Sequence, residues 1–176
     1  MKDTLTTHQQ KVFEAITRDI KGNLFSFSKS DNIEDRILSL TGAAGTGKSF
    51  LTAQIAKTID KDLKELNYYY NDSLCITAPT HQAVKVLKEM MLQNQMETNC
   101  RTIHSFLGIK LMSDYETGEE KFAVDKMVRN PLTASLLIID ESSMVSKELY
   151  EFILASVKEG KLTLFYLSVT LFNFYQ

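Results

Sequence analysis

Residues 42–49 constrain the fold of this chain more than any other part of its sequence. They read GAAGTGKS and match the pattern G-x-x-x-x-G-K-[ST] at every fixed position. Loops of this pattern lie between a strand and a helix, and both flanks fit. Residues 37–41 form a short, largely apolar run without proline, and Leu51, Ile55 and Ile59 recur at helical spacing after the loop. Because strand, loop and helix come in this order, a glycine-rich turn that matches by chance is the weaker interpretation.

The residue types of this loop predict a site for a nucleoside triphosphate and magnesium. Its glycines allow backbone conformations in which successive N–H groups face phosphate oxygens, and the helix N-terminus adds unpaired donors and partial positive charge. Lys48 would meet the β- and γ-phosphates, and the Ser49 hydroxyl would ligate Mg²⁺. We therefore predict ATP and Mg²⁺ as cofactors. The nucleotide-binding residues predicted from the loop are Gly42, Gly45, Thr46, Gly47, Lys48 and Ser49.

A pair of acids further along the chain predicts the second half of the site. Residues 136–139 read LLII, an unbroken apolar run typical of a strand covered on both faces, and Asp140 and Glu141 follow it. Both would emerge at the carboxyl edge of a parallel sheet, where open α/β sheets bind ligands. We assign Asp140 to Mg²⁺ and Glu141, with Lys48, to catalysis, Glu141 as the general base. Two acids that merely cap the next helix are the alternative, and the phosphate loop makes it the weaker one.

The composition fits one α/β domain. The chain has 176 residues, of which 44% are hydrophobic and 24% charged. With a net charge of −2 and a pI of about 5.9, any nucleic-acid site would have to be local. Cys75 and Cys100 lack metal-ligand spacing. The N-terminus runs into polar sequence without the apolar core of a signal peptide, so we expect a cytoplasmic protein that does not bind a membrane.

Strands and helices alternate along the chain, which predicts a P-loop NTPase of the α/β class. We expect a RecA-like, mostly parallel sheet with helices on both faces. The predicted strands are residues 37–41, 74–78, 136–139 and 162–167, with a loop at 24–35. The predicted helices begin at the capping pair Thr6 and Gln9, after Ser49, at Thr80, at Thr102 and at Ser146. The lobe would span residues 1–167, followed by an atypical tail at 168–176.

The pattern breaks within residues 110–124. Residues 114–120 are acidic and contain Gly118, and apolar residues lie on both sides. This arrangement is compatible with a small hairpin inserted in the domain. A solvated surface loop is equally compatible with it, and both interpretations remain open.

Four motifs together resemble those of superfamily 1 DNA helicases, most closely the 5′→3′ branch that contains RecD and the phage helicase Dda. They are residues 42–49, 78–84 (APTHQAV), 102–107 (TIHSFL) and 139–144 (IDESSM), in the order that this family uses. Residues 5–9 (LTTHQ) resemble the N-terminal glutamine motif of that branch, which implies that the amide of Gln9 reads adenine. The resemblance extends from Leu5 to about Leu167.

The resemblance implies single-stranded DNA as a partner. It places Pro79, Thr80 and His81 at the DNA channel, with Thr102 and His104 near it. Hydroxyls and helix N-termini can hold phosphates, and an imidazole can stack on a base. Without the resemblance, His81 is interpreted as a surface residue of a helix and His104 as a packing residue. The strand-separating pin of the family corresponds to residues 110–124, although their acidic tip is a poor surface for DNA.

One segment departs from the family pattern. Where the family has a Gly-Asp-x-x-Gln segment that senses the γ-phosphate, residues 168–176 read SVTLFNFYQ. We therefore expect the equivalent of a first RecA-like lobe, unable to unwind duplex DNA alone. A second RecA-like lobe and replication or repair proteins are the candidate partners. We predict the ATP-hydrolysing motor lobe of a DNA helicase. The alternatives are a P-loop ATPase that acts on a protein assembly and a nucleotide-binding relic without turnover.

Overall fold

The computed structural model describes residues 4–25, 32–43, 45–65, 74–113, 120–124, 134–159 and 162–171. Its strands are β1 (Ile37–Ala43), β2 (Leu74–Ala78), β3 (Asn99–Thr102), β4 (Ile109–Ser113), β5 (Glu120–Val124), β6 (Ala134–Ile139) and β7 (Leu162–Leu171). Its helices are α1 (Thr7–Phe25), α2 (Lys48–Glu65), α3 (His81–Gln93), α4 (Ile103–Leu107) and α5 (Lys147–Lys158). Single 3₁₀ turns occupy Ile33–Arg36 and Ser142–Met144.

Five of the strands form one parallel sheet in the order β1-β7-β6-β2-β3. Every residue of β2 is buried, and so are five of the six residues of β6. Burial of this extent requires cover on both faces, which explains why these strands read as apolar runs instead of alternating ones. The structure confirms the predicted α/β class of a P-loop NTPase.

Helices pack on both faces of this sheet. Because successive residues of a strand point to opposite faces, neighbours along one strand fall into different cores. Ile76 and Ile138 belong to one cluster with buried residues of α1, α2 and α3. Cys75 and Leu137 belong to another with buried residues of α4 and α5. The sheet is thus the middle layer of a three-layer sandwich.

Several boundaries differ from those that the sequence predicts. Helix α1 continues to Phe25, two residues into the predicted loop, because Leu24 and Phe25 pack against the core. Strand β3 was not predicted at all, since its sequence NCRT is short and polar and its extended form depends on pairing with β2. Strand β7 runs to Leu171, beyond the predicted strand end at Leu167. The sequence predicts that the helix after Ser49 runs to Leu66 and that Gly160 ends the helix capped by Ser146, but both positions lie outside the described residues.

Strands β4 and β5 form a separate antiparallel pair, with Ile109 opposite Val124 and Ser113 opposite Glu120. This pairing supports the hairpin interpretation of residues 110–124. Residues 114–119, between the strands, lie outside the part of the chain that the structure describes. Among the helices described, none combines the length and the apolar character needed to cross a bilayer.

Candidate nucleotide site

The phosphate loop connects β1 to α2, at the carboxyl edge of the parallel sheet. Gly45 and Gly47 adopt φ angles of 75° and 79°, in the left-handed region that favours glycine. A Cβ atom at Gly47 would also lie 2.7 Å from Nε2 of Gln9. The loop therefore needs glycine at position 47 for its backbone conformation and for the close approach of Gln9.

Lys48 is folded back over this loop. Its Nζ donates hydrogen bonds to the carbonyl oxygens of Gly42 (2.8 Å) and Ala43 (2.6 Å), and only 9% of the residue is exposed. Thr46 Oγ1 donates to the Ala43 carbonyl as well, at 2.9 Å. Within the described ranges, no carboxylate lies within 4.0 Å of the Lys48 ammonium. Because buried charges are usually paired, a nearly buried cation bonded only to neutral carbonyls is suited to binding an anion.

The predicted magnesium ligands meet in the fold. Ser49 Oγ donates a hydrogen bond to Oδ2 of Asp140 at 3.1 Å, although the two residues lie 91 positions apart. Asp140 directly follows β6 and is 7% exposed. A hydroxyl and a carboxylate are hard oxygen ligands of the type that Mg²⁺ prefers, with phosphates and waters completing its octahedral shell. The described residues contain no cluster of three or more His, Cys, Asp or Glu that could hold a metal.

Glu141 occupies a different environment from its neighbour. It is exposed and has a φ of 53°, one of two residues other than glycine in the described ranges with a positive φ. The chain turns sharply there, and the N–H of Met144 donates to the Glu141 carbonyl at 3.0 Å to close the 3₁₀ turn. A residue with a side chain in this region costs about 1 kcal/mol or more. The turn takes Glu141 out of the strand direction and leaves its side chain accessible to solvent.

Gln9 links the N-terminal helix to the phosphate loop. Its Nε2 donates to the Thr46 carbonyl at 3.1 Å, and its Oε1 accepts the Thr6 N–H at 2.9 Å. The Gln9 N–H in turn approaches Thr6 Oγ1 at 3.3 Å, which completes the predicted capping pair. A glutamine amide has two N–H donors and two acceptor lone pairs. The described contacts use one donor and one acceptor, so one of each remains for a ligand.

The residues assigned to DNA lie at the carboxyl ends of β2 and β3, on the same sheet edge as the phosphate loop and Asp140. Pro79 is half-buried, whereas Thr80 and His81 are exposed where α3 begins. The Thr80 hydroxyl caps α3 by accepting the Ala83 N–H at 3.2 Å. These residues thus share one edge with the nucleotide site.

Thr102 and His104 are more enclosed. Thr102 is 6% exposed, and its hydroxyl caps α4 by accepting the Ser105 N–H at 3.2 Å. The His104 ring lies 5.2 Å from the Phe122 ring of β5, and Phe122 meets Phe152 of α5 edge-on at 6.2 Å. Burial and, secondarily, the nearby charge of His81 lower the pKa of His104. The packing interpretation of His104 therefore agrees with its contacts.

Sequence reasoning missed one polar residue close to the site. Thr77 is fully buried in β2, its hydroxyl donates to the Ile138 carbonyl at 3.0 Å, and its own carbonyl accepts the Asp140 N–H at 2.9 Å. The available signal was a lone polar residue in the otherwise apolar strand LCITA.

The sequence profile of the AAA domain family matches residues 29–166, which is most of the chain. No curated protein matches the chain significantly in sequence.

Similar solved structures include three phage proteins. The large terminase of a thermophilic bacteriophage has 9% identity and a TM-score of 0.45, with 86% of this chain and 38% of that protein covered. The UvsW helicase of bacteriophage T4 has 12% identity and a TM-score of 0.47, with 90% and 59% covered. The large terminase ATPase domain of a Thermus phage has 13% identity and a TM-score of 0.42, with 77% and 60% covered. This chain thus spans 38% to 60% of their lengths.

Proposed function

This chain belongs to the AAA domain family, and from that premise we propose that it is an ATP-hydrolysing motor lobe that acts on single-stranded DNA. The observation that carries the proposal is the 3.1 Å contact between Ser49 Oγ and Asp140 Oδ2. It joins the phosphate loop to the acidic end of β6, which is the pairing that a magnesium–ATP site requires. The finer assignment, to the RecD- and Dda-like branch of DNA helicases, rests on the order of the four motifs.

In this proposal Lys48 exchanges its carbonyl partners for the β- and γ-phosphates of ATP. The exchange needs only a local movement, because Nζ already lies over the loop that would wrap the phosphates. Ser49 and Asp140 would hold Mg²⁺, which neutralises charge on the phosphate oxygens when bound. Glu141 would accept a proton from the attacking water, and its exposure leaves it accessible to that water.

Adenine recognition is assigned to Gln9. Its remaining N–H donor and acceptor lone pair match the N7 acceptor and N6 amino donor of adenine. The same amide contacts the Thr46 carbonyl, so binding of the base and the position of the phosphate loop would be coupled.

Single-stranded DNA is assigned to the sheet edge beside this site. Thr80 and His81 offer an exposed hydroxyl and an exposed imidazole at the start of α3, next to Pro79. Thr102 would act by holding α4 and His104 in place, because its own hydroxyl is buried and bonded. With a net charge of −2, the chain depends on such local contacts to hold DNA.

The decisive experiment measures ATP hydrolysis with and without oligo-dT, comparing the wild type with His81→Ala. We expect DNA to stimulate hydrolysis in the wild type and stimulate it less in the variant. Glu89→Ala, an exposed change on the same helix α3, is the matched control and should behave as the wild type.

The outcomes separate the three candidate functions. A rate of ATP hydrolysis that oligo-dT does not change contradicts the DNA assignment and favours an ATPase that acts on a protein assembly. Binding of ATP without any turnover, with or without DNA, favours a nucleotide-binding relic.

A further inference from the structure

We propose that Thr77 is a positioning residue for Asp140, which it holds against Ser49 through two hydrogen bonds to the end of β6. The inference rests on the proposed function, because Asp140 acts there as a magnesium ligand. Thr77 itself touches no ligand atom in this account. It acts through the backbone of the strand that carries the carboxylate.

The two bonds bracket a single residue, Ile139. The Thr77 hydroxyl donates to the carbonyl of Ile138 at 3.0 Å, and the Thr77 carbonyl accepts the N–H of Asp140 at 2.9 Å. The strand register places Thr77 directly opposite Ile139. One residue of β2 therefore fixes both peptide groups that lead into Asp140.

The chain needs such a fixed point because it leaves the sheet immediately afterwards. Glu141 adopts a φ of 53°, and the structure gives it no side-chain capping bond. A left-handed residue with a side chain persists only where its surroundings determine the conformation. Within the described residues, the bond from the Asp140 N–H to Thr77 is the last hydrogen bond between the end of β6 and the sheet before the turn at Glu141. If the end of β6 were not held by these hydrogen bonds, the Asp140 carboxylate would be free to move away from Ser49.

Threonine at this position requires an explanation. Valine has almost the same shape and suits a buried strand better, and a buried hydroxyl is unfavourable unless it is bonded. Burial alone is no indication of a role, since Thr17 and Thr52 are also buried and their hydroxyls have no hydrogen-bond partner among the described residues. Thr77 differs from both because its hydroxyl is bonded to the strand that carries Asp140.

The test compares Thr77→Val and Thr77→Ser in a titration with a fluorescent ATP analogue at increasing Mg²⁺. We expect Thr77→Val to bind nucleotide like the wild type without Mg²⁺. The Mg²⁺ concentration that gives half-maximal tightening should rise about fivefold, the effect of one lost buried hydrogen bond. Thr77→Ser, which keeps the hydroxyl, should restore the wild-type value to within about twofold. Thr17→Val removes a buried hydroxyl without a described partner and should leave the Mg²⁺ dependence unchanged.

Two results overturn the inference while leaving the proposed function intact. In the first, nucleotide binding by the wild type depends on Mg²⁺, but Thr77→Val needs the same Mg²⁺ concentration as the wild type. In the second, Thr77→Ser needs as much Mg²⁺ as Thr77→Val does. If the folded wild type binds the ATP analogue with an affinity that does not change with Mg²⁺, the proposed function and this inference are both contradicted. If Thr77→Val does not fold, Thr77→Cys replaces it. Because the thiol is a weaker donor than the hydroxyl, the Mg²⁺ concentration for half-maximal tightening should still rise above the wild-type value, and an unchanged value overturns the inference.

Discussion

Asp140 and Glu141 are adjacent in sequence but differ in burial, in backbone conformation and in partners. Asp140 is 7% exposed, its N–H is bonded to β2 and its carboxylate accepts from Ser49. Glu141 is exposed and left-handed. The buried, hydrogen-bonded carboxylate of Asp140 is suited to binding a metal ion. The exposed carboxylate of Glu141 is suited to a general base, which must contact water. The left-handed backbone of Glu141 creates this difference between two adjacent residues.

Glu141→Gln tests the role of the base. The amide keeps size and polarity but cannot accept a proton, so Mg·ATP binding should persist while hydrolysis falls by about 10²–10⁴-fold. The measurement is phosphate release at saturating ATP, with Glu148→Gln, an exposed change at the start of α5, as the control. If Glu141→Gln releases phosphate at the wild-type rate, the base lies elsewhere.

His104 predicts a pH dependence of stability. Burial, and secondarily the charge of His81, hold the pKa of His104 below its ordinary value of about 6.5. The unfolded chain therefore takes up this proton at a higher pH than the folded chain does. The stability that neutral His104 contributes is present above about pH 6.5 and is lost as the pH falls through the folded pKa.

We expect His104→Asn to lose less stability than the wild type between pH 7 and pH 5. Unfolding temperatures of both proteins across this range give the measurement, and His8→Asn, an exposed histidine on α1, serves as the control. Equal slopes for His104→Asn and the wild type would contradict the assignment.

Phe122 is one of the residues that join the two-stranded hairpin to the helices of the main sheet, and the buried Ile109 of β4 is another. Phe122 of β5 contacts His104 of α4 at 5.2 Å and Phe152 of α5 at 6.2 Å, the latter edge-on at 88°. Aromatic pairs of this geometry contribute about 0.5–1.5 kcal/mol beyond the area that they bury. The ring therefore connects the hairpin to α4, which follows β3, and to α5, which follows β6.

Phe122→Ala should loosen the hairpin without altering the nucleotide site. We expect the unfolding temperature to fall by several degrees, the effect of about 1–3 kcal/mol for a half-buried ring. Affinity for Mg·ATP should stay within about twofold, and stimulation by single-stranded DNA should decrease. The control Met112→Ala removes an exposed side chain of β4, on the other face of the pair from Phe122, and should change none of these. A marked loss of Mg·ATP affinity in Phe122→Ala would show that the hairpin supports the nucleotide site.

Local chemistry explains which elements could be predicted. The caps at Thr80 and Ser146 and the pair Thr6 and Gln9 depend on residues three positions apart, so the sequence displays them directly. Strand β3 and the last residues of β7 depend instead on strands that are distant in sequence. Their own residues carry too little signal, and tertiary pairing decides their conformation.

At the scale of the whole molecule, the parallel sheet brings separate motifs to one edge. The phosphate loop follows β1, the residues assigned to DNA follow β2 and β3, and the acids follow β6. The residue types of the nucleotide site could be predicted because phosphate and Mg²⁺ require them. The same requirement predicts that Ser49 and Asp140 meet, as they do. The hydrogen bonds of Thr77 could not be predicted, since they form only when β2 and β6 lie side by side.

The most direct test of the central claim, that Lys48 and its loop bind ATP, is a calorimetric titration of Mg·ATP into the wild type and Lys48→Ala. We expect one site that ADP competes for, with affinity weakened by about 100-fold or more in the variant, because a charged hydrogen-bond donor to phosphate is lost. Lys57→Ala, an exposed change on the same helix α2, is the control and should bind as the wild type does. A folded wild type that does not bind ATP, or a folded Lys48→Ala that binds it equally tightly, would contradict the account.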